Sequence, residues 1–286
     1  MARKHPARWQ ASNRLGWFTA AGSFPRRSSS RPGAIWHGCG MPVLRLRRRA
    51  SWEGNPCYDR LAASLPLRDS YRRALGVEGR KLIAVTSTWG PGSLLHQCPD
   101  LLSRLVGELP RQEYCVAVFM HPHVWYWHGR RQLHAWYAEC MRRGLVLVPP
   151  EQGWRAILTA ADWVIGDHGS ATCYGASAGV PVLLAAFAAD EVDPGSPASH
   201  LGQNAFRLRP DQPVAGQLHA ASAAWPPGWS ASVRSQITDV PGQSARIIRE
   251  TMYRLMKLPE PDRTPTVHPV LLPRPAVIPE ASGASL

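Results

Sequence analysis

Apolar residues in the middle of the chain fall in short continuous runs, not in alternation. Leu82–Thr86, Tyr114–Met120, Leu145–Val148, Trp163–Ile165 and Val182–Ala185 are each bounded by polar, Gly or Pro residues. Strands buried on both faces read this way, as in parallel sheets covered by helices. Segments with helical spacing lie between the runs: about Pro99–Leu109, Arg130–Arg143 before Gly144, Glu151–Ala161, and a short one over Ala171–Ala178 before Gly179. Five strand–helix repeats with short connections predict an α/β fold with a doubly wound, mainly parallel Rossmann-like sheet. Right-handed crossovers follow from the general rule for parallel connections.

The flanks are less regular. Residues 51–79 are a lead-in, with a turn at Asn55-Pro56 and a loose helical pattern over Asp59–Leu75 that Pro66 interrupts. Gly76 suits a helix C-cap. Residues 188–242 are rich in Pro, Gly and Ala and weakly patterned. Arg246–Leu258 predicts an amphipathic helix whose apolar set is Ile247, Ile248, Met252, Leu255 and Met256. The expected division is an irregular basic segment over 1–50, a Rossmann-like domain over 51–258, and a Pro-rich disordered tail over 259–286.

Charge changes this picture only at the N-terminus. Of a net +13, residues 1–50 contribute eleven Lys or Arg and no acid, which leaves +2 on the remaining 236 residues. Arg outnumbers Lys by 30 to 3, which fits the coding bias of a GC-rich bacterial genome. No recognisable nucleic-acid motif interleaves aromatics with the basic residues, so no specific nucleic-acid partner is expected. The acid-free N-terminus also fits an organelle transit peptide, a remnant of an upstream domain or a misassigned start. Peripheral contact with a membrane through it stays open. No apolar run reaches the roughly 18 residues that cross a bilayer. The six cysteines form no CxxC pair, which points to a reducing, cytoplasmic setting. Cys115 reads as a small core residue.

In an open parallel sheet, ligands bind beyond the carboxyl ends of the strands, where strand order reverses. With strands one and four as neighbours, the loops there are Ser87-Thr88-Trp89-Gly90 and Gly166-Asp167-His168-Gly169-Ser170. The second opens a helix that Ser170 can cap. Backbone N–H groups at Ala171 and Thr172 would then face a phosphate, assisted by the helix dipole. Gly166 and Gly169 allow close approach. Asp167 either anchors the turn or meets a sugar hydroxyl. His121, ending strand two, is either a phosphate ligand and acid or a packed residue before Pro122. His121 and His168 are the candidate catalytic groups. His121, His123 and His128 lack a carboxylate or Cys at ligand spacing, so no metal is expected, and no other cofactor. Trp125-Tyr126-Trp127 covers hydrophobic surface or stacks on a base. Glu151 is expected to begin a helix and complement its dipole. There is no GxxxxGK[ST], no GxGxxG after the first strand and no GxSxG.

Residues 76–190 resemble the C-terminal, donor-binding half of GT-B-type glycosyltransferases, nearest the CDP-glycerol glycerophosphotransferase branch. That branch carries a His-Pro after an early strand, similar to His121-Pro122, and a Thr-Asp-Tyr-Ser-Ser loop after a later one. Asp167 and Ser170 match the loop, while Gly166, His168 and Gly169 depart from it. Ala178-Gly179-Val180-Pro181-Val182 resembles a stretch also found in UDP-sugar epimerases. The resemblance implies that His121, Ser170 and Thr172 contact the phosphates of a nucleotide-activated donor, with Ser87, Thr88 and Gly90 lining the crevice and an acceptor unspecified. A complete enzyme of this kind has a second, N-terminal Rossmann domain, for which only about 80 residues precede the first strand here. A non-catalytic nucleotide-binding domain and an epimerase-like enzyme are the alternatives.

Overall fold

The structure is a computed structural model that describes residues 54–263 and 265–273. The basic segment 1–50 and the end of the Pro-rich tail lie outside the described residues.

In chain order the elements are α1 (Pro56–Ser64), a 3-10 turn (Leu65–Leu67), α2 (Arg68–Ala74), β1 (Lys81–Ser87), α3 (Leu94–Gln97), α4 (Leu101–Glu108) and β2 (Tyr114–Met120). Next come α5 (Pro122–His128), α6 (Arg130–Trp136), α7 (Ala138–Arg142), β3 (Leu145–Val148), α8 (Trp154–Ala160), β4 (Trp163–Gly166), α9 (Ser170–Ser177) and β5 (Val182–Leu184). A 3-10 turn (Ala189–Glu191), α10 (Pro197–Asn204), β6 (Phe206–Arg207), α11 (Val214–Ala223), α12 (Trp229–Ile237) and α13 (Ser244–Met256) complete it.

All six strands pair in parallel in the order β3-β2-β1-β4-β5-β6. This is the doubly wound α/β sheet that the apolar runs predict. Its two faces explain why the runs are continuous. In β1, Leu82 and Ala84 enter one core, with Tyr71, Ile157, Cys173 and Leu201. Ile83 and Val85 enter the other, with Leu105, Trp125, Leu133 and Leu218. Every inner position of the strand is therefore buried, and polar alternation has no place.

Several boundaries move for local reasons. The helix expected over 130–143 divides into α6 and α7 at Tyr137, which has left the helical region at φ −100°, ψ 10°. The helix expected from Glu151 starts instead at Trp154, because Gly153 takes a left-handed conformation (φ 36°) as its N-cap. Glu151 is therefore outside the helix and does not serve its dipole; it pairs with Arg130. The weakly patterned 188–242 stretch holds β6 and three helices. Part of the Pro-rich tail is anchored: Val270 is buried, its N–H donates to Ser64 Oγ (3.0 Å), and its carbonyl accepts from the Tyr71 hydroxyl (2.5 Å).

Two carboxylates, one buried and one partly buried, fasten the helices around this sheet. Asp59 on α1 accepts from Gly242 N–H (2.6 Å), Ser244 N–H (3.0 Å) and the Ser244 hydroxyl, and so caps α13 from far away in sequence. Asp162, just before β4, accepts from Leu82 N–H (2.7 Å) and from the guanidinium groups of Arg68 (3.1 Å) and Arg72 (3.0 Å). It ties α2 to the amino ends of β1 and β4.

Candidate functional site

The switch point falls between β1 and β4, which pair directly while their crossovers run to opposite sides. The loops after these two strands meet there. An added Cβ at Gly169 would lie 2.6 Å from Thr88 Cγ2, and one at Gly166 would lie 2.3 Å from Thr172 Oγ1 and 2.9 Å from Thr86 Cγ2. Only glycine lets the two loops approach this closely.

Asp167 is the centre of the arrangement. It is fully buried. One carboxylate oxygen accepts from Thr88 N–H (2.8 Å), the Thr88 hydroxyl (2.9 Å) and Leu94 N–H (2.9 Å); the other accepts from Gly169 N–H (3.0 Å). It thus anchors its own turn and also locks the β1 loop and the start of α3 against it. Ser87 acts within its loop: its buried hydroxyl donates to Thr88 O (3.1 Å) and accepts from Leu95 N–H (3.2 Å). Gly90 turns the loop at φ 87°, and its carbonyl accepts from Ser93 N–H and the Ser93 hydroxyl.

The side chains of Ser87, Thr88 and Asp167 are therefore spent within the two loops. What remains at the crevice is backbone. The N-cap of α9 is Gly169, not Ser170, and no side chain caps it. Ser170 occupies the first helical position with its side chain exposed, because Gly169 already holds the extended cap conformation (φ −71°, ψ 155°). The Thr172 and Cys173 N–H groups turn back to Gly169 O. The N–H groups of Ser170 and Ala171 have no acceptor among the described residues. Thr172 is fully buried beside Gly166, its Oγ1 without a partner. It packs the floor and does not open onto the crevice.

His121 stands at the rim. Its N–H donates to Ser87 O (2.9 Å), which ties it to the β1 loop. Its Nδ1 accepts from His123 N–H (3.1 Å) and so caps α5. That bond fixes the neutral tautomer with the proton on Nε2, a donor on the exposed side of the ring. Burial, and next the neighbouring His123, hold its pKa below the ordinary 6.5. The unfolded chain therefore binds more protons below pH 6.5, and the stability His121 contributes is present above 6.5 and lost as pH falls. His121→Gln is expected to flatten the loss of denaturant midpoint between pH 7 and 5.5. An unchanged slope would show that His121 is not the group involved.

His168 points elsewhere. Its ring meets the edge of Phe187 (6.3 Å between centroids), and its Nε2 lies 3.4 Å from Glu191 Oε2 on the 3-10 turn. Glu191 carried no sequence signal, since it sits more than twenty residues on in the weakly patterned stretch. Cys173 lies on the buried side of α9, where burial pushes its thiol up to about 12, so it is no nucleophile at neutral pH. Of the aromatic triplet, Trp125 is buried in the core while Tyr126 and Trp127 are exposed.

Among the described residues no group of three or more His, Cys, Asp or Glu could hold a metal ion, and no helix is long and apolar enough to cross a membrane. A depression of about 440 Å³ beside Arg104, Glu108 and Pro210–Pro213 lies away from the switch point. A second, of about 370 Å³, lies over Asp162, whose carboxylate the two arginines already occupy.

No protein-family model matches the sequence, and no curated protein matches it either. Solved structures to which the chain is similar include a variant of the wall teichoic acid polymerase TagF soaked with CDPG (16% identity, TM-score 0.48, covering 71% of this chain and 50% of that one). Anabaena HepE in complex with UDP and glucose is another (16% identity, TM-score 0.42, 67% and 52%). A third is the C-terminal domain of a group 1 family glycosyl transferase, LpcC, from Francisella tularensis (11% identity, TM-score 0.35, 65% and 92%). The chain spans about half the length of the first two. The architecture itself is established by strand order and register: a six-stranded, parallel, doubly wound Rossmann-like sheet.

Proposed function

We propose that the crevice between β1 and β4 binds the diphosphate of a nucleotide-activated donor, CDP-glycerol or a nucleotide sugar, and that the chain is the donor-binding part of a transferase. The observation that carries this reading is the pair of unclaimed N–H groups at Ser170 and Ala171, held at the amino end of α9 by the Asp167 network. Such a terminus offers two converging donors and the positive end of the helix dipole. His121 adds a neutral Nε2–H at the rim. Fixed donors of this kind stabilise charge on a departing diphosphate without reorganising. The His121-Pro122 and Asp167/Ser170 resemblances supply the donor class.

The test follows from the site being made of backbone. Ser170→Pro removes one N–H donor and leaves the helix intact. Proline is favoured at the first helical position, and Gly169 already has the extended ψ of 155° that a residue before proline adopts. A thermal-shift titration with CDP-glycerol, UDP-glucose, CDP and UDP is expected to show stabilisation of the wild type by one nucleotide family. Ser170→Pro should keep the unliganded melting temperature within about 2 °C and weaken binding about tenfold, the value of one hydrogen bond to a charged group. Unaltered affinity in Ser170→Pro would remove this helix terminus from the site.

A further inference from the structure

We propose that Glu191 selects the donor by charge: its carboxylate admits a transferred group that is uncharged, a polyol or a neutral sugar, and disfavours an anionic one such as a uronic acid. The proposal rests on the donor reading above and names the substrate class of that same site.

The 3-10 turn after β5 carries Glu191 against both of the loops that build the crevice. On the β4 side, Glu191 Oε2 lies 3.4 Å from Nε2 of His168, two residues before Ser170. On the β1 side, an added Cβ at Gly92 would lie 2.6 Å from Glu191 Oε1 and 2.7 Å from Oε2. The same Cβ would lie 2.7 Å from Ala188 Cβ. Gly92 thus leaves the room that the carboxylate and its turn occupy. The carboxylate bridges the two loops and is still open to solvent, with 43% of the side chain exposed.

Little offsets its charge. His168 is the one ion-pair partner of Glu191 among the described residues, and Asp190 and Asp193 stand beside it in the chain. Residues 82–103, 112–129 and 156–206 include the loops after β1, β2, β4 and β5. They contain no Lys or Arg, in a chain that has 33, so the basic character of the protein stops short of the crevice. Arg207, the first cation after them, lies over the Phe187 ring at 4.8 Å and donates to the Gly202 carbonyl. The donors left for an anion are the Ser170 and Ala171 N–H groups and the His121 Nε2–H, and a diphosphate uses them up. A further negative group on the same ligand finds no donor and meets a like charge, a repulsive element that discriminates between ligands. Hydroxyl groups find in the same carboxylate a strong acceptor.

The test is calorimetric titration of the wild type and Glu191→Gln with CDP-glycerol and CDP, and with UDP-glucose, UDP-glucuronate and UDP. At about pH 8 the terminal phosphate of a nucleoside diphosphate is doubly ionised, so CDP and UDP each carry one more negative charge than their neutral donors. Glu191→Gln keeps size and shape at a half-exposed position, and its melting temperature should stay within about 2 °C of the wild type. Relative to the neutral donor of whichever family binds, the more anionic ligands should gain about fivefold in Glu191→Gln, the size of a like-charge contact partly screened by solvent. Unchanged ratios in Glu191→Gln overturn the proposal while nucleotide binding itself stands. An equal gain for neutral and anionic ligands also overturns it, since Glu191 would then oppose the diphosphate and not the transferred group. No binding of any of the five ligands to the wild type would sink the donor reading and the selection with it.

Discussion

Asp167→Ala is expected to lower the melting temperature by about 10 °C and to abolish nucleotide binding in the protein that remains folded. The carboxylate is fully buried and accepts four hydrogen bonds, from Thr88 N–H and hydroxyl, Leu94 N–H and Gly169 N–H. Alanine leaves these donors inside the protein with nothing to receive them. Each orphaned buried donor costs about 1–3 kcal/mol, partly relieved where water enters, so a net loss of about 4 kcal/mol follows. For a domain of this size that is on the order of 2–4 °C per kcal/mol. Asp167→Asn separates charge from shape. Its amide oxygen can keep the three bonds from Thr88 and Leu94, while its NH₂ opposes Gly169 N–H, so its loss should be roughly half as large. A denaturation series over the three proteins reads this order directly. Equal stability in Asp167→Ala and wild type would show that the network does not hold the loops.

Asp162→Ala is expected to cost about 3 kcal/mol and leave nucleotide affinity unchanged. This residue stands at the other end of the same strand. Its removal strands the Leu82 N–H and the Arg72 guanidinium, whose side chain is only 16% exposed, and losing one partner of a buried pair costs about 3–5 kcal/mol. Arg68 adds little, being 36% exposed. The estimate sits at the low end because Arg72 keeps its bonds to the Ala160, Val77 and Arg80 carbonyls. Urea unfolding should show a lower midpoint with the same slope. Under the proposed function the two aspartates thus divide the strand into a structural end at Asp162 and a ligand end at Asp167. A nucleotide affinity that falls in Asp162→Ala as far as in Asp167→Ala would contradict that division.

The strands were legible because each is buried on both faces, which leaves one unmistakable pattern. The switch point was legible because the common doubly wound order 3-2-1-4-5 sets strands one and four side by side, and the sheet has that order. The two-residue β6 was not, since Phe206-Arg207 is too short to carry a period. The site was legible only as loops. That Asp167 would satisfy Thr88 and the Leu94 N–H depends on partners 73 to 79 residues apart, which no local pattern reports. Ser170 read as a cap because serine favours that position, but Gly169 takes it, and the hydroxyl is displaced by one residue into solvent. Glu151 read as a helix start because nothing in its immediate neighbours shows that Gly153 would adopt a left-handed turn. Trp89 had a visible signal: a large aromatic in a loop of small residues has no core to enter, and it is exposed.

The cap that Asp59 provides for α13 has a consequence for the order of assembly. Residues 59 and 244 are nearly the whole described domain apart, and Val270 returns to the same helix pair through Ser64 and Tyr71. During synthesis, Asp59 and Ser64 of α1 cannot fill their polar contacts until residues 242 to 270 have left the ribosome. Closing so long a loop is entropically slow. The β1–β5 sheet can form before that, with α2 tied to it through Asp162, so the growing chain passes through a stage in which its central sheet is paired while Asp59 and Ser64 on α1 still lack their partners. Hydrogen exchange should find the protection of α1 and α13 rising and falling together, as one unit separate from the strands.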